Sequence, residues 1–276
     1  LYYGASMLQH NQGANASALA SAQRAAELYR EAGDERGLTR ALSQIAHHLA
    51  DRDVYEEAQI VAEDALLRAR RLEDPRLLAA TLQRCAFIYK PEEIAQARSR
   101  FAESVALFRS LGRDDETARA LAWWADAEGV AGQLQASAAI AREALELASE
   151  DLKMYLLNGL ASCYLAGDDR ERAVPAAREA LGLAVKAGHP IATPCAVLYL
   201  AAIESQADAA HAARLFGYAQ ARLRALDWKL VGPDRTIEEN LQRSLEQNLA
   251  PDDLRSLRAT GAAWDEETAI ANAAHV

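Results

Sequence analysis

Small residues return along this chain at one helical spacing and one long period. In Tyr55–Asp74, Ala58, Ala62 and Ala65 follow at steps of four and three, which puts all three on one helix face where a neighbouring helix can approach closely. The pair Ala58/Ala65 recurs as Ala18/Ala25, Ala97/Ser104, Ser137/Ala144, Ala173/Ala180 and Ala212/Ala219, with successive first members 40, 39, 40, 36 and 39 residues apart. The middle position of Ala62 is filled in turn by Ala22, Phe101, Ala141, Ala177 and Phe216. A period of this length means stacked supersecondary units, each burying its face against the next, and excludes a globule built on one central core.

Composition fits helices throughout. Of 276 residues, 51% are hydrophobic with much alanine, while 14 glycines and 7 prolines leave few interruptions. The formal charge of −10, with no basic stripe, argues against direct nucleic-acid contact and against docking on an anionic membrane. Cys85, Cys163 and Cys195 are widely spaced with no CxxC, the pattern of small buried residues in a reduced, cytoplasmic protein. The longest apolar run, Ile191 to Ile203, contains Pro194 and is too short to span a bilayer. The chain opens at Leu1 in a helix-like pattern with no signal peptide, so it reads as a piece cut from a longer protein.

Turn signals divide the chain into about six helix pairs over residues 1–226. The first pairs Leu1–Gln12 with Asn15–Ala32 around a turn at Gly13, and Gly33 closes it as a left-handed cap. The second pairs Glu35–Ala50 with Val54–Leu72. Asp74-Pro75 caps and opens the third, whose first helix runs to about Tyr89 and whose second starts at Pro91 and continues to Leu111. The fourth spans Asp115–Val130 and Gln133–Ser149, and the fifth Asp151–Leu165 and Arg170–Ala187, with Pro175 predicting a kink or a late helix start. Thr193-Pro194 is expected to cap the first helix of the sixth pair, to Ser205, and Asp208–Leu226 completes that pair. Residues 227–276 depart from the period and read as a three-helix capping segment near Asp234–Asn248, Pro251–Thr260 and Asp265–Ala274, with Ile237, Leu241, Leu245 and Leu249 as the stripe of its first helix.

Helix pairs with these small positions resemble tetratricopeptide repeats: Leu42, Ala46, Ala58 and Ala65 fit that pattern in the second pair, Leu121, Ala125 and Ala144 in the fourth, and Leu157, Ala161, Ala173 and Ala180 in the fifth. Segments such as Ala97–Leu121 and Ala25–Leu42, and the closing stretch from Ala212–Leu226 to Trp264–Ile270, are similar to the C-terminal repeat region of bacterial signal-transduction ATPase (STAND-type) transcriptional regulators. The resemblance implies an all-α, right-handed superhelix (an α-solenoid) that senses a ligand or binds a partner and acts on an ATPase module upstream. The alternative is a free-standing scaffold for protein–protein contact or self-association.

The chain carries no phosphate loop, no GxGxxG, no HExxH and no Cys/His set with zinc spacing, so no catalytic residue, cofactor or metal is expected. His47 and His48 point about 100° apart on a helix and are poorly placed to share an ion. Asp114-Asp115-Glu116 and Asp265-Glu266-Glu267 fall at helix starts, where acids complement the dipole. Of Trp123-Trp124, one ring is expected between helices and the other toward a surface. Aligning the repeats places Arg40, Ser43 and His47, then Gln83 and Phe87, then Arg119 and Asp126, and then Tyr155, Asn158 and Ser162 along a groove. Two arginines, an asparagine and aromatics there suit a small anionic or polar effector, or a protein or peptide partner presenting a carboxylate. Of the lysine/asparagine set that a co-chaperone-type carboxylate clamp needs, only Asn158 is in place.

Overall fold

A computed structural model describes residues 12–90 and 93–276. The start expected at Pro91, and all but the last residue of the helix expected over Leu1–Gln12, fall outside them. Every regular element among the described residues is a helix, and none is long and apolar enough to cross a membrane. The chain forms two compact units, Leu1–Ala131 and Gly132–Val276.

The first unit holds α1 (Gln12–Ala32), α2 (Glu35–Ala50), α3 (Tyr55–Arg71), α4 (Pro75–Ala86), α5 (Ile94–Ser110) and α6 (Asp114–Val130). Consecutive helices pack on one another, and α2 also touches α4, the stacking of successive pairs that the period implies. Ala58, Ala62 and Ala65 of α3 are fully buried, as are Phe101 and Ser104 of α5. Serine is tolerated in the stripe because its hydroxyl has a partner: Ser104 Oγ donates to the Ala79 carbonyl at 2.8 Å. At the start of α4, the Asp74 carboxylate accepts from the Arg76 and Leu77 amides, both at 3.1 Å, and these bonds with Arg36 hold it below the usual carboxylate range.

The second unit holds α7 (Leu134–Leu147), α8 (Glu150–Ala166), α9 (Arg170–Ala187), α10 (Ala192–Glu204), α11 (Ala209–Ala225), α12 (Gly232–Asn248), α13 (Pro251–Ala262) and α14 (Glu266–Ala273). Helices α8/α9 and α10/α11 form successive pairs, and α8 touches α10. The apolar run is α10, buried nearly all round because α8, α9, α11, α12 and α14 all pack on it. The tail thus belongs to the core of this unit. Its helix α13 crosses α11 at two glycines, where a Cβ on Gly217 would collide with the Arg258 backbone and one on Gly261 with that of Arg214.

The second and third predicted pairs are present in the first unit and the fifth and sixth in the second, with local differences. No turn occurs at Gly13: α1 runs through it, since one glycine costs a helix only about 1 kcal/mol against alanine. Helix α4 stops at Ala86 instead of Tyr89, with Phe87 as its C-cap. Pro175 lies inside α9, which starts at Arg170 without delay under an Asp169 cap. Thr193 does not cap α10. The His189 ring does so, with Nδ1 accepting from the Ile191 and Ala192 amides at 3.3 and 3.0 Å.

Candidate functional site

A cleft of about 590 Å3 opens in the first unit between α1, α2, α4 and α6, with Phe108 of α5 also in its lining. Its apolar side is the small-residue stripe of α1, Ala18, Ala22 and Ala25, with Ala80 of α4 and the Trp123 ring. Arg76, Gln83 and Arg84 reach it from α4, and Glu116 and Arg119 from α6. These sit at helical steps, 76 with 80 and 83, and 116 with 119 and 123, so each helix turns one continuous face to the cleft. Gln44, His47 and His48 of α2 close the remaining side.

An aromatic ladder fixes the floor. His47 stacks on Trp123 with centroids 5.5 Å apart, Phe87 meets Trp123 edge-on at 5.0 Å, and Phe101 lies behind Phe87 at 5.7 Å. Trp124 stacks on Phe101 and donates its indole N–H to Glu128 at 2.9 Å. Glu128 is itself buried and receives both arms of Arg98 at 2.7 Å. Trp123 is thus the ring between helices and Trp124 the outer one, as expected, and the buried acid beneath them is fully paired.

The charged groups of the cleft are unevenly satisfied. Glu116 accepts from Arg76 at 3.0 Å and from Arg113 at 2.7 Å, and these cations hold its carboxyl below the usual range. Arg119 has no such acid: among the described residues it makes no ion pair or side-chain hydrogen bond. Gln83 is 8% exposed, lines the cleft and also has no hydrogen-bond partner among the described residues, so its amide is satisfied only from the cleft. Among the described residues the lining carries three arginines and one carboxylate, on a chain whose net charge is −10.

Of the residues aligned from sequence, His47, Gln83 and Arg119 come together in this cleft, and Phe87 supports it from below. Ser43 does not line it: it is fully buried, and its hydroxyl turns back to the Arg40 carbonyl at 2.8 Å. Arg40 is exposed outside the cleft, as is Asp126. Tyr155, Asn158 and Ser162 belong to the second unit. Tyr155 Oη lies 2.6 Å from His189 Nε2, and the buried Asn158 amide donates to the Ala192 carbonyl at 3.5 Å. Ser162 faces no open groove, because it is hydrogen-bonded to Asp234 of α12. The alignment missed Gln44, His48, Arg76, Arg84, Glu116 and Trp123, although the same-face steps on α4 and α6 carry the signal.

No protein-family model matches the chain, and no curated protein matches it. Its fold has a solved counterpart. The crystal structure of BtubC (BKLC) from P. vanneervenii aligns with a TM-score of 0.54 at 20% identity, covering 91% of this chain and 93% of that one. At that identity the likeness concerns the fold alone.

Proposed function

We propose that this chain is a non-catalytic ligand-sensing or partner-binding repeat region of a bacterial signal-transduction ATPase regulator, and that its first unit takes an anionic ligand in the cleft. The carrying observation is the pair of unsatisfied polar groups, Arg119 and Gln83, over an apolar and aromatic floor. A guanidinium and a primary amide can hold a carboxylate or phosphate while the floor takes the body of the ligand. The volume falls in the range of small-ligand sites, about 300–1,000 Å3. Five helices contribute to the lining, so a ligand that bridges them favours one relative arrangement of those helices. That differential affinity would be the signal to the upstream ATPase module that the resemblance implies.

The test is a thermal-shift screen of carboxylates, organic phosphates and short acidic peptides, repeated with Arg84→Ala/Arg119→Ala and with Gln83→Leu. Expected are anions that stabilise the wild type and lose about tenfold or more in affinity in either variant, one charge-assisted hydrogen bond being worth about 1.5–3 kcal/mol. A screen without a stabilising anion, or hits indifferent to both variants, would reject this site. A second reading, a scaffold for self-association, is favoured by Ile60 and Leu67, 72% and 51% exposed and seven residues apart on α3. Sedimentation at rising concentration, compared with Ile60→Lys, separates the two readings.

A further inference from the structure

Helix α3 turns its small-residue stripe, Ala58, Ala62, Ala65 and Ala69, inward, and all four are buried. At about 100° per residue, the line opposite that stripe runs through Ile60 and Leu67, 72% and 51% exposed and about 10.5 Å apart along the axis. Ile60 is the most exposed large apolar side chain among the described residues. One exposed apolar residue needs no explanation, whereas two on one row make a short seam.

The charges along the same helix are sorted. Acids come first, Glu56 and Glu57 in the first turn and then Glu63 and Asp64, and bases last, Arg68, Arg70 and Arg71. The middle is neutralised within the chain: Glu63 pairs with Arg100, Asp64 with Arg68 at 2.9 Å, and Arg70 with Glu103 at 3.1 Å. Left over at the two ends are Glu56, Glu57 and Arg71, exposed and with no ion pair or side-chain hydrogen bond among the described residues. Sorted charges suit the dipole of any helix. The dipole does not, however, require their spacing about the seam. Glu56, Ile60, Leu67 and Arg71 follow at steps of four, seven and four, which reads the same from either end.

We infer that the outer face of α3 is a docking surface for a second copy of this chain, whose own α3 lies antiparallel across it. Ile60 then meets the partner's Leu67, and Glu56 meets the partner's Arg71. Each contact occurs twice about a two-fold axis, as an isologous interface requires. A slip of one turn would set Ile60 against the partner's Glu63 or the partner's Arg71, and a parallel pairing would put like charges together at both ends, so one arrangement satisfies the whole row. One helix per copy is a small seam, at the low end of specific interfaces, below about 1,200 Å2, and the association is transient. This deepens the self-association reading and rests on it. It is independent of the anion cleft, whose lining contains no residue of α3.

The test is sedimentation of the wild type, Glu56→Arg, Arg71→Glu and an equimolar mixture of the two variants, at about 0.15 M salt. Both positions are exposed at the ends of α3, so the variants should fold, and their melting checks it. Either variant alone sets like charges at both ends of the antiparallel seam and should weaken dimerisation about tenfold. In the mixture every arginine again faces a glutamate, and dimer should return to about the wild-type level, as it should in the double variant Glu56→Arg/Arg71→Glu. Mixing cannot repair a damaged helix, so recovery isolates the contact between copies. A wild type still monomeric at about 1 mM would overturn both this pairing and the self-association reading. A wild-type dimer that neither single variant weakens, or weakened variants that do not recover on mixing, would overturn the antiparallel seam and leave self-association to another face.

Discussion

His189 shows how one side chain can fix a local structure and a pH response together. Its Nδ1 accepts from two backbone amides at the start of α10, so the ring proton sits on Nε2, facing Tyr155 Oη at 2.6 Å. A second proton would put an N–H where two donors already point. Burial favours the same neutral form and lowers the His189 pKa from its usual value, while it pushes the Tyr155 phenol up to about 12. With the folded pKa below the unfolded value of about 6.5, the unfolded chain binds more protons as pH falls. The contribution of His189 is therefore complete above about pH 6.5 and is lost as pH falls from there through the folded pKa. Subtracting a His189→Ala chain from the wild type should show a Tm gap that is largest at pH 8 and shrinks toward pH 5, and a gap of constant size would refute the neutral cap. This role was not legible in the sequence, where Thr193-Pro194 looks like the cap. The Thr193 hydroxyl is instead buried without a hydrogen-bond partner among the described residues, and the cap comes from a ring three residues before the helix begins, placed by contact with α8. Caps made by an adjacent aspartate, as at Asp74, are local and were readable.

At the scale of helices, the small-residue stripe was the most legible feature because its cause is geometric. Alanine every third or fourth residue is what lets two backbones approach, and Ala173, Ala177 and Ala180 of α9 are all fully buried as the spacing requires. The close crossing of α11 and α13 follows the same physics but lies outside the repeat, so neither Gly217 nor Gly261 stood out. Replacing Gly217 by Ala should force α13 away and destabilise the chain by about 1–3 kcal/mol, more than the helix-propensity gain of up to about 1 kcal/mol returns. Gly159, in α8, has open space where a Cβ would go. Gly159→Ala should then stabilise by up to about 1 kcal/mol. Opposite signs in urea unfolding would confirm that contact, not backbone propensity, decides at Gly217. Equal signs would mean that α13 does not approach α11 closely at Gly217. The face that each helix turns to a ligand was only half legible. Repeat alignment placed His47, Gln83 and Arg119 on the cleft face but left out α1, and it could not know that the Ser43 hydroxyl folds back on Arg40 or that α12 covers Ser162.

On the scale of the molecule, the relevant contrast is between a net charge of −10 and a cleft whose described lining holds Arg76, Arg84 and Arg119 with Glu116. An approaching anion meets the field of the whole chain first, and that field is repulsive. Close to the lining the arginines attract it instead. Salt screens exposed charges over a Debye length of about 8 Å at physiological strength and acts less on partly enclosed pairs. Association and dissociation should therefore respond differently. Adding salt weakens the long-range repulsion, so the association rate of an anion found in the screen should stay level or rise. Adding salt also weakens its hold on Arg119, so the dissociation rate should rise, and the loss of affinity should lie in that rate. Stopped-flow measurement of both rates between about 0.02 and 0.3 M salt checks this, with Arg119→Ala as control. An association rate falling steeply with salt would mean that a positive field steers the ligand from a distance. The cleft would then be only part of a larger basic surface, and a binding site confined to Gln83, Arg84 and Arg119 would be too small to account for it.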